Sequence, residues 1–306
     1  METAMYLRVV IFGLFNFLIG HIDDPFKDTP SRWDKAVIQK EFVVVGKDIK
    51  VADYFRYLDS LIANYQRNFK YELTEHLLVN HNPWIIDTLA GFDYYKRLER
   101  DTFIYDQREM TVLHRGDTLW IPDRSSVKLL QERFEHTLLD VNIPEFKLRI
   151  IEYGRVTHIF PVRVGRNAKR YLATAGRNVN LRTPIGEGEI VRIERNPWFV
   201  DPVSGRRYTT TLRDDGRRTT MPQIPWMEPM INGMRQGALI HPTSNPETLG
   251  KAYSNGCVGT AEGDAWYIYY HAPLGTKVRF RYDLKVVDTA QDTLFLKDVY
   301  GLSGKS

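Results

Sequence analysis

Cys257 is the only cysteine in the 306-residue chain, so no disulfide partner exists within it. It sits in the polar, glycine-bearing run Ser254-Asn255-Gly256-Cys257-Val258, after the turn-rich stretch Pro242–Gly250. A structural cysteine packs among apolar neighbours, whereas a reactive one needs access and polar contacts. Making a thiolate near neutral pH also takes a base, and a sequentially distant histidine can fold in to supply it. His241, sixteen residues upstream at the end of the apolar run Ala238–Ile240, is the candidate. On these residues alone, an inert thiol and an unrelated histidine are the commoner outcome.

The wider pattern changes that reading. Ile240-His241-Pro242-Thr243, a loop ending Leu249-Gly250, and Ser254–Val258 together resemble the active-site motif of the L,D-transpeptidase (YkuD-type) catalytic domain family. Phe160–Gly165 resembles the family's strand ending in Val-Gly. Thr183-Pro184-Ile185-Gly186 resembles its Thr-Pro-x-Gly turn, and Met221-Pro222 the Met-Pro that opens the segment leading to the histidine. The matches fall in order across about half the chain. Four positions depart from the pattern: Asn255 stands where a second histidine is usual, Gly259 where an Arg or Asn commonly follows the nucleophile by two, Gly188 in place of an aromatic, and Pro242 in place of a Gly or Ser.

The resemblance implies that Cys257 is the nucleophile and His241 its base, with a backbone carbonyl of Pro242 or Thr243 orienting the imidazole. The amides of Gly256 and Cys257, with Asn255 beside them, are expected to form the oxyanion hole. Ser254, Tyr253, Met221, Trp226 and Met227 are substrate-binding candidates, and the segment Met221–Gly237 is expected to form a lid or wall of the donor pocket. The implied substrate is a peptidoglycan stem peptide, attacked at a peptide bond next to a D-centre to give a thioester. An amine of a second stem, or of a protein to be anchored, would resolve it. Water in place of the amine would make the site an L,D-carboxypeptidase or peptidoglycan hydrolase. An inactive cell-wall-binding protein is the third reading. No Walker loop, dinucleotide fingerprint or His-Glu-x-x-His is present, so neither cofactor nor metal is expected.

The elements that must position these residues are legible as patterns. Length favours two domains, and 43% hydrophobic residues supply ample core. The 42 basic and 38 acidic residues are interspersed, which argues against a nucleic-acid footprint. Arg8 followed by the apolar run Val9–Gly20 reads as a signal peptide or N-terminal anchor over 1–20, being short for a span of about 20 residues. That start and the family resemblance together imply export to the cell envelope or periplasm. Residues 21–40 are polar and proline-bearing, a linker.

An accessory α+β domain is expected over 41–123, with a short strand at Phe42–Val45, a helix over Val51–Tyr65, and further helices over Leu73–Leu78 and Trp84–Leu98. Val112–Pro122 resembles the closing strand of a LysM-type glycan-binding module, which would bring glycan strands to this half. His76, His81 and His114 show no metal-ligand spacing. A helix over Ser125–Asp140 is expected to bridge the halves within 124–145. From 146 to 298 the period switches to two, beginning with a hairpin through Lys147–Tyr153 and Val156–Val164. Strands at Glu189–Glu194, Ala238–His241, Lys277–Arg281 and Thr293–Leu296 make this a mainly-β sandwich or barrel, with a short helix over Asp264–Tyr270 and a tail at 299–306. The charge run Arg213–Arg218 is expected to be a solvated hairpin tip. The fold class is thus α+β.

Overall fold

The computed structural model describes residues 41–67, 71–287 and 292–303. The expected signal segment and linker, residues 1–40, lie outside the described residues. Among those described, no helix is long and apolar enough to cross a membrane.

Eight strands and six helices carry the architecture. The helices are α1 (Val51–Gln66), α2 (Glu75–His81), α3 (Trp84–Ala90), α4 (Tyr94–Leu98), α5 (Arg124–Glu135) and α6 (Glu262–His271). The strands of the main sheet are β1 (Thr137–Asn142), β2 (Lys147–Glu152), β3 (Arg155–Pro161), β4 (Gly186–Glu194), β5 (Trp226–Ile231), β6 (Ile240–Pro242), β7 (Val258–Thr260) and β8 (Lys277–Arg281). Their order across the sheet is β7-β6-β5-β4-β8-β1-β2-β3, with the short strand Met234–Arg235 added on β5. The β6/β7 and β8/β1 pairs are parallel, and the other neighbours along this order are antiparallel. Just past β3, Arg163 exchanges both backbone hydrogen bonds with Gly259 of β7, each 2.9 Å long. That exchange joins the two ends of the strand order, so the expected β barrel is realised as a mixed sheet closed by a single residue pair.

The α+β class and the β-rich C-terminal part hold. The hairpin of β2 and β3 turns at Tyr153 and Gly154, both with positive φ (50° and 75°), which suits the twist of the flanking strands. One element differs. The expected helix over Ser125–Asp140 ends at Glu135, and Thr137–Asn142 is a strand hydrogen-bonded on both sides, to β8 and β2. Burial on both faces gives such a strand a near-continuous apolar run, which a helical stripe imitates. Its one charge, Asp140, is 1% exposed and accepts from Arg279 and Arg281 of β8.

The helices of residues 41–123 pack against α6, and their cores are continuous. Val51, Tyr54, Phe55, Leu58 and Leu61 form the expected buried stripe of α1. Phe55 meets Trp266 and Tyr269 of α6, and the Tyr54 hydroxyl hydrogen-bonds that of Tyr270 at 2.7 Å. One apolar cluster runs from Val45 through the sheet to Tyr300, and the described residues form one compact unit. The helix expected over Trp84–Leu98 is broken between α3 and α4. Asp93 caps α4 by accepting from the Tyr95 and Lys96 amides, and also accepts from the Gly263 amide at 2.8 Å. The break thereby fastens the helical layer to the start of α6. At the other end of that layer, Phe42–Val44 pairs antiparallel with Thr118–Trp120.

Candidate active site

β6 and β7 run side by side, with Ile240 opposite Val258 and His241 opposite Gly259. One residue before this ladder, the Leu239 amide donates to the Cys257 sulfur at 3.4 Å, while the Val258 amide donates to the Leu239 carbonyl at 2.8 Å. Side chains alternate along a strand and paired residues share a face. His241 and Cys257 are therefore diagonal neighbours on one face of the sheet. The thiol is half-buried and also approaches the Gly237 carbonyl at 3.8 Å.

His241 Nδ1 lies 2.8 Å from the Pro242 carbonyl oxygen. A carbonyl only accepts, so Nδ1 carries the hydrogen and Nε2 keeps its lone pair. Of the two expected orienting carbonyls, Pro242 is the one used; Thr243 is buried, its amide bonded to the Thr260 carbonyl. The Trp226 ring packs against the imidazole, with centroids 5.1 Å apart, and Phe199 packs edge-on against Trp226. Burial and the nearby Arg163 cation push the imidazole down to about 4, so it is neutral at physiological pH. Burial pushes the Cys257 thiol up, partly opposed by the Leu239 amide and Arg163. Burial thus favours the neutral form of both the thiol and the imidazole.

The loop before the thiol is held from several directions. The Ser254 hydroxyl donates to the Cys257 carbonyl at 2.6 Å and accepts from the Gly256 amide at 3.2 Å. This fastens the turn and corrects two expectations. The Ser254 hydroxyl is used inside the loop instead of facing substrate, and the Gly256 amide is engaged. Among the described residues the Cys257 amide has no hydrogen-bond partner. Gly256 adopts φ of +115°, a conformation that side chains resist. Asn255 Oδ1 is buried without a partner. Tyr253 is exposed and stacks under the Arg166 guanidinium, which also donates to the Tyr253 carbonyl at 2.5 Å.

Thr183 explains the Thr-Pro-x-Gly turn. Its hydroxyl donates to the Gly256 carbonyl at 3.0 Å and accepts from the Gly165 amide at 2.8 Å. Its own amide donates to the Tyr300 hydroxyl, which in turn donates to the Gly165 carbonyl at 2.7 Å. Three separate chain segments thus meet behind the nucleophile loop.

The remaining candidates divide. Trp226 is at the site. Met227 alternates to the other face and is 1% exposed, a core residue paired with Ile240. Met221 is half-buried, its amide bonded to the Thr209 carbonyl. Of the expected lid or wall, the segment Met221–Gly237 contributes sheet strand β5, which sets Trp226 against the His241 ring. The excursion between β4 and β5 carries Phe199, which packs on Trp226, and a hairpin of Thr210–Leu212 with Arg218–Thr220. Arg213, expected at a solvated tip, is 2% exposed and ion-paired with buried Glu262. Motif matching missed Phe199, which lies in no motif, and the role of Arg163, which sits inside the Phe160–Gly165 match but reads there only as a strand residue.

Residues 136–280 match the family model for the YkuD L,D-transpeptidase catalytic domain. By that match, the segment is similar to the L,D-transpeptidase catalytic domains of the YkuD family. No curated protein matches the sequence. Among solved structures, the chain is similar to an L,D-transpeptidase from Xylanimonas cellulosilytica (15% identity, 79% of this chain and 98% of that one, TM-score 0.35). It is also similar to one from Mycobacterium smegmatis (16%, 48% and 58%, 0.33). A third is L,D-transpeptidase 3 from Mycobacterium tuberculosis with a faropenem-derived adduct (17%, 48% and 60%, 0.32). The chain spans about three-fifths of the length of these mycobacterial enzymes.

Proposed function

We propose that the protein is a cysteine-dependent L,D-transpeptidase acting on peptidoglycan stem peptides in the cell envelope. The observation that carries this reading is the placement of Cys257 and His241 as diagonal neighbours on one sheet face, with the imidazole Nδ1 fixed by the Pro242 carbonyl and Nε2 left as an acceptor. In this mechanism His241 Nε2 takes the thiol proton as sulfur adds to the stem carbonyl carbon. The oxyanion accepts from the Cys257 amide. Collapse breaks the peptide C–N bond, and the departing D-amino acid leaves with the proton from His241. The resulting thioester is attacked by an amine of a second stem or an anchored protein, which restores the thiol. Trp226 packs against the imidazole and Phe199 against Trp226, which gives the base an apolar flank.

The test is incubation of the exported protein with purified muropeptides and, separately, with a carbapenem-type β-lactam, both read by mass spectrometry. Cross-linked dimers and a covalent adduct on Cys257, lost in Cys257→Ser, are expected. Stem trimming without dimers would replace the transferase by a hydrolase, and no adduct with no product would remove the enzymatic reading.

A further inference from the structure

Arg163 enters the site from the far end of the sheet. Its backbone pairs with Gly259, the residue opposite His241 and two beyond Cys257. Its side chain then crosses the open face of that glycine. A Cβ built on Gly259 would lie 2.5 Å from Arg163 Nε and 2.8 Å from its Cγ. Glycine at 259 is what admits the arginine stem. The guanidinium has one described hydrogen bond, Nη1 to the Thr248 hydroxyl at 3.2 Å, and Nε is buried without a partner. Among the described residues no carboxylate pairs with it.

A largely buried cation without a counter-anion is costly, by several kcal/mol in order of magnitude, unless an anion is supplied during function. The groups facing it are the Cys257 thiol, the His241 imidazole, the Tyr208 and Tyr253 phenols and the Arg166 cation. Of these, only the thiol and the phenols can become anions, and burial pushes the Tyr208 phenol up, away from ionisation.

We propose that Arg163 is the electrostatic positioning residue of the site, the fixed cation that stabilises negative charge on the Cys257 sulfur across the side-chain-free face of Gly259. The proposal rests on the reading of Cys257 as nucleophile. The same cation disfavours an imidazolium at His241, so a proton taken from sulfur is readily passed on to a departing amine. A plain packing role, in which the arginine only fills the seam beside Gly259, makes a different prediction, because filling a seam does not require a charge.

The experiment is the pH dependence of Cys257 alkylation by iodoacetamide in the full chain, compared among wild type, Arg163→Met, Arg163→Lys and Gly259→Ala, with thermal melts reporting folding. The midpoint is expected to rise by about one to two pH units in Arg163→Met. Gly259→Ala, which keeps the arginine but displaces it, should move the midpoint the same way and serves if Arg163→Met does not fold. Arg163→Lys should stay close to wild type. An unmoved midpoint in folded Arg163→Met or Gly259→Ala overturns the proposal while leaving the nucleophile intact. A wild-type thiol that resists alkylation across the whole range overturns both together.

Discussion

Arg213 and Glu262 form an ion pair whose side chains are 1% and 2% exposed. It joins the turn of the Thr210–Thr220 hairpin to the first turn of α6, the helix that follows β7. Glu262 also accepts from Gln107 at 2.6 Å and from the Tyr94 amide at 3.2 Å, while the guanidinium lies over the Tyr94 ring. Removing one partner leaves the other charge buried and unpaired. Arg213→Met is therefore expected to cost about 3–5 kcal/mol in denaturant unfolding, and the double variant Arg213→Met/Glu262→Met to recover much of it. Additive losses in the double variant would show that the pair is not coupled.

Thr183 offers a milder break. Its hydroxyl links the Gly165 amide to the Gly256 carbonyl inside the protein. Thr183→Val keeps the shape and removes both links, at an expected cost of about 1–3 kcal/mol in stability. The rate of β-lactam acylation should fall more than stability alone accounts for, since the loop bearing Cys257 loses its rear support. Equal acylation rates in the variant and wild type would separate the clamp from the chemistry.

The acid side of the pH profile should report His241. Its pKa is held at about 4, below the usual value for histidine, by burial and Arg163. The imidazole stays neutral, and able to accept a proton, until the pH falls through that value. Acylation of Cys257 should thus persist at pH 5.5 and decline only toward about pH 4. A decline centred near 6.5, the ordinary histidine value, would show that neither burial nor the cation is felt.

Trp226 covers one face of the same ring. Trp226→Ala should loosen the imidazole and slow acylation about tenfold, with Trp226→Phe retaining most of the rate, because only packing on that face is lost. Rates measured under single-turnover conditions decide the matter. An unaffected Trp226→Ala would leave orientation to the Pro242 carbonyl alone.

The Cys257 and His241 motifs and the Thr-Pro-x-Gly turn were legible because each is local: a motif carries its own neighbours. The stripe of α1 was legible for the same reason, through its spacing. The identity of β1 was not, since a strand buried on both faces shows no alternation. Nor was the burial of Arg213, whose partner Glu262 is far along the chain and whose surroundings read as a charged turn. The break at Asp93 depended on a cap shared with α6, and Met227 was misread because only strand parity decides which of two adjacent side chains meets the imidazole. In each case the deciding partner lies in a distant segment, and a single sequence does not reveal which segments meet.

The exchange between Arg163 and Gly259 places the sulfur at the join where the rolled sheet meets itself. In the folded protein such a join depends on every intervening strand, since its two margins meet only through the rolled sheet. A nascent or unfolding polypeptide would accordingly carry an ordinary, sluggish sulfhydryl. Reactivity would arrive only with completion of the ring, which makes chemical competence a report on the integrity of the entire fold.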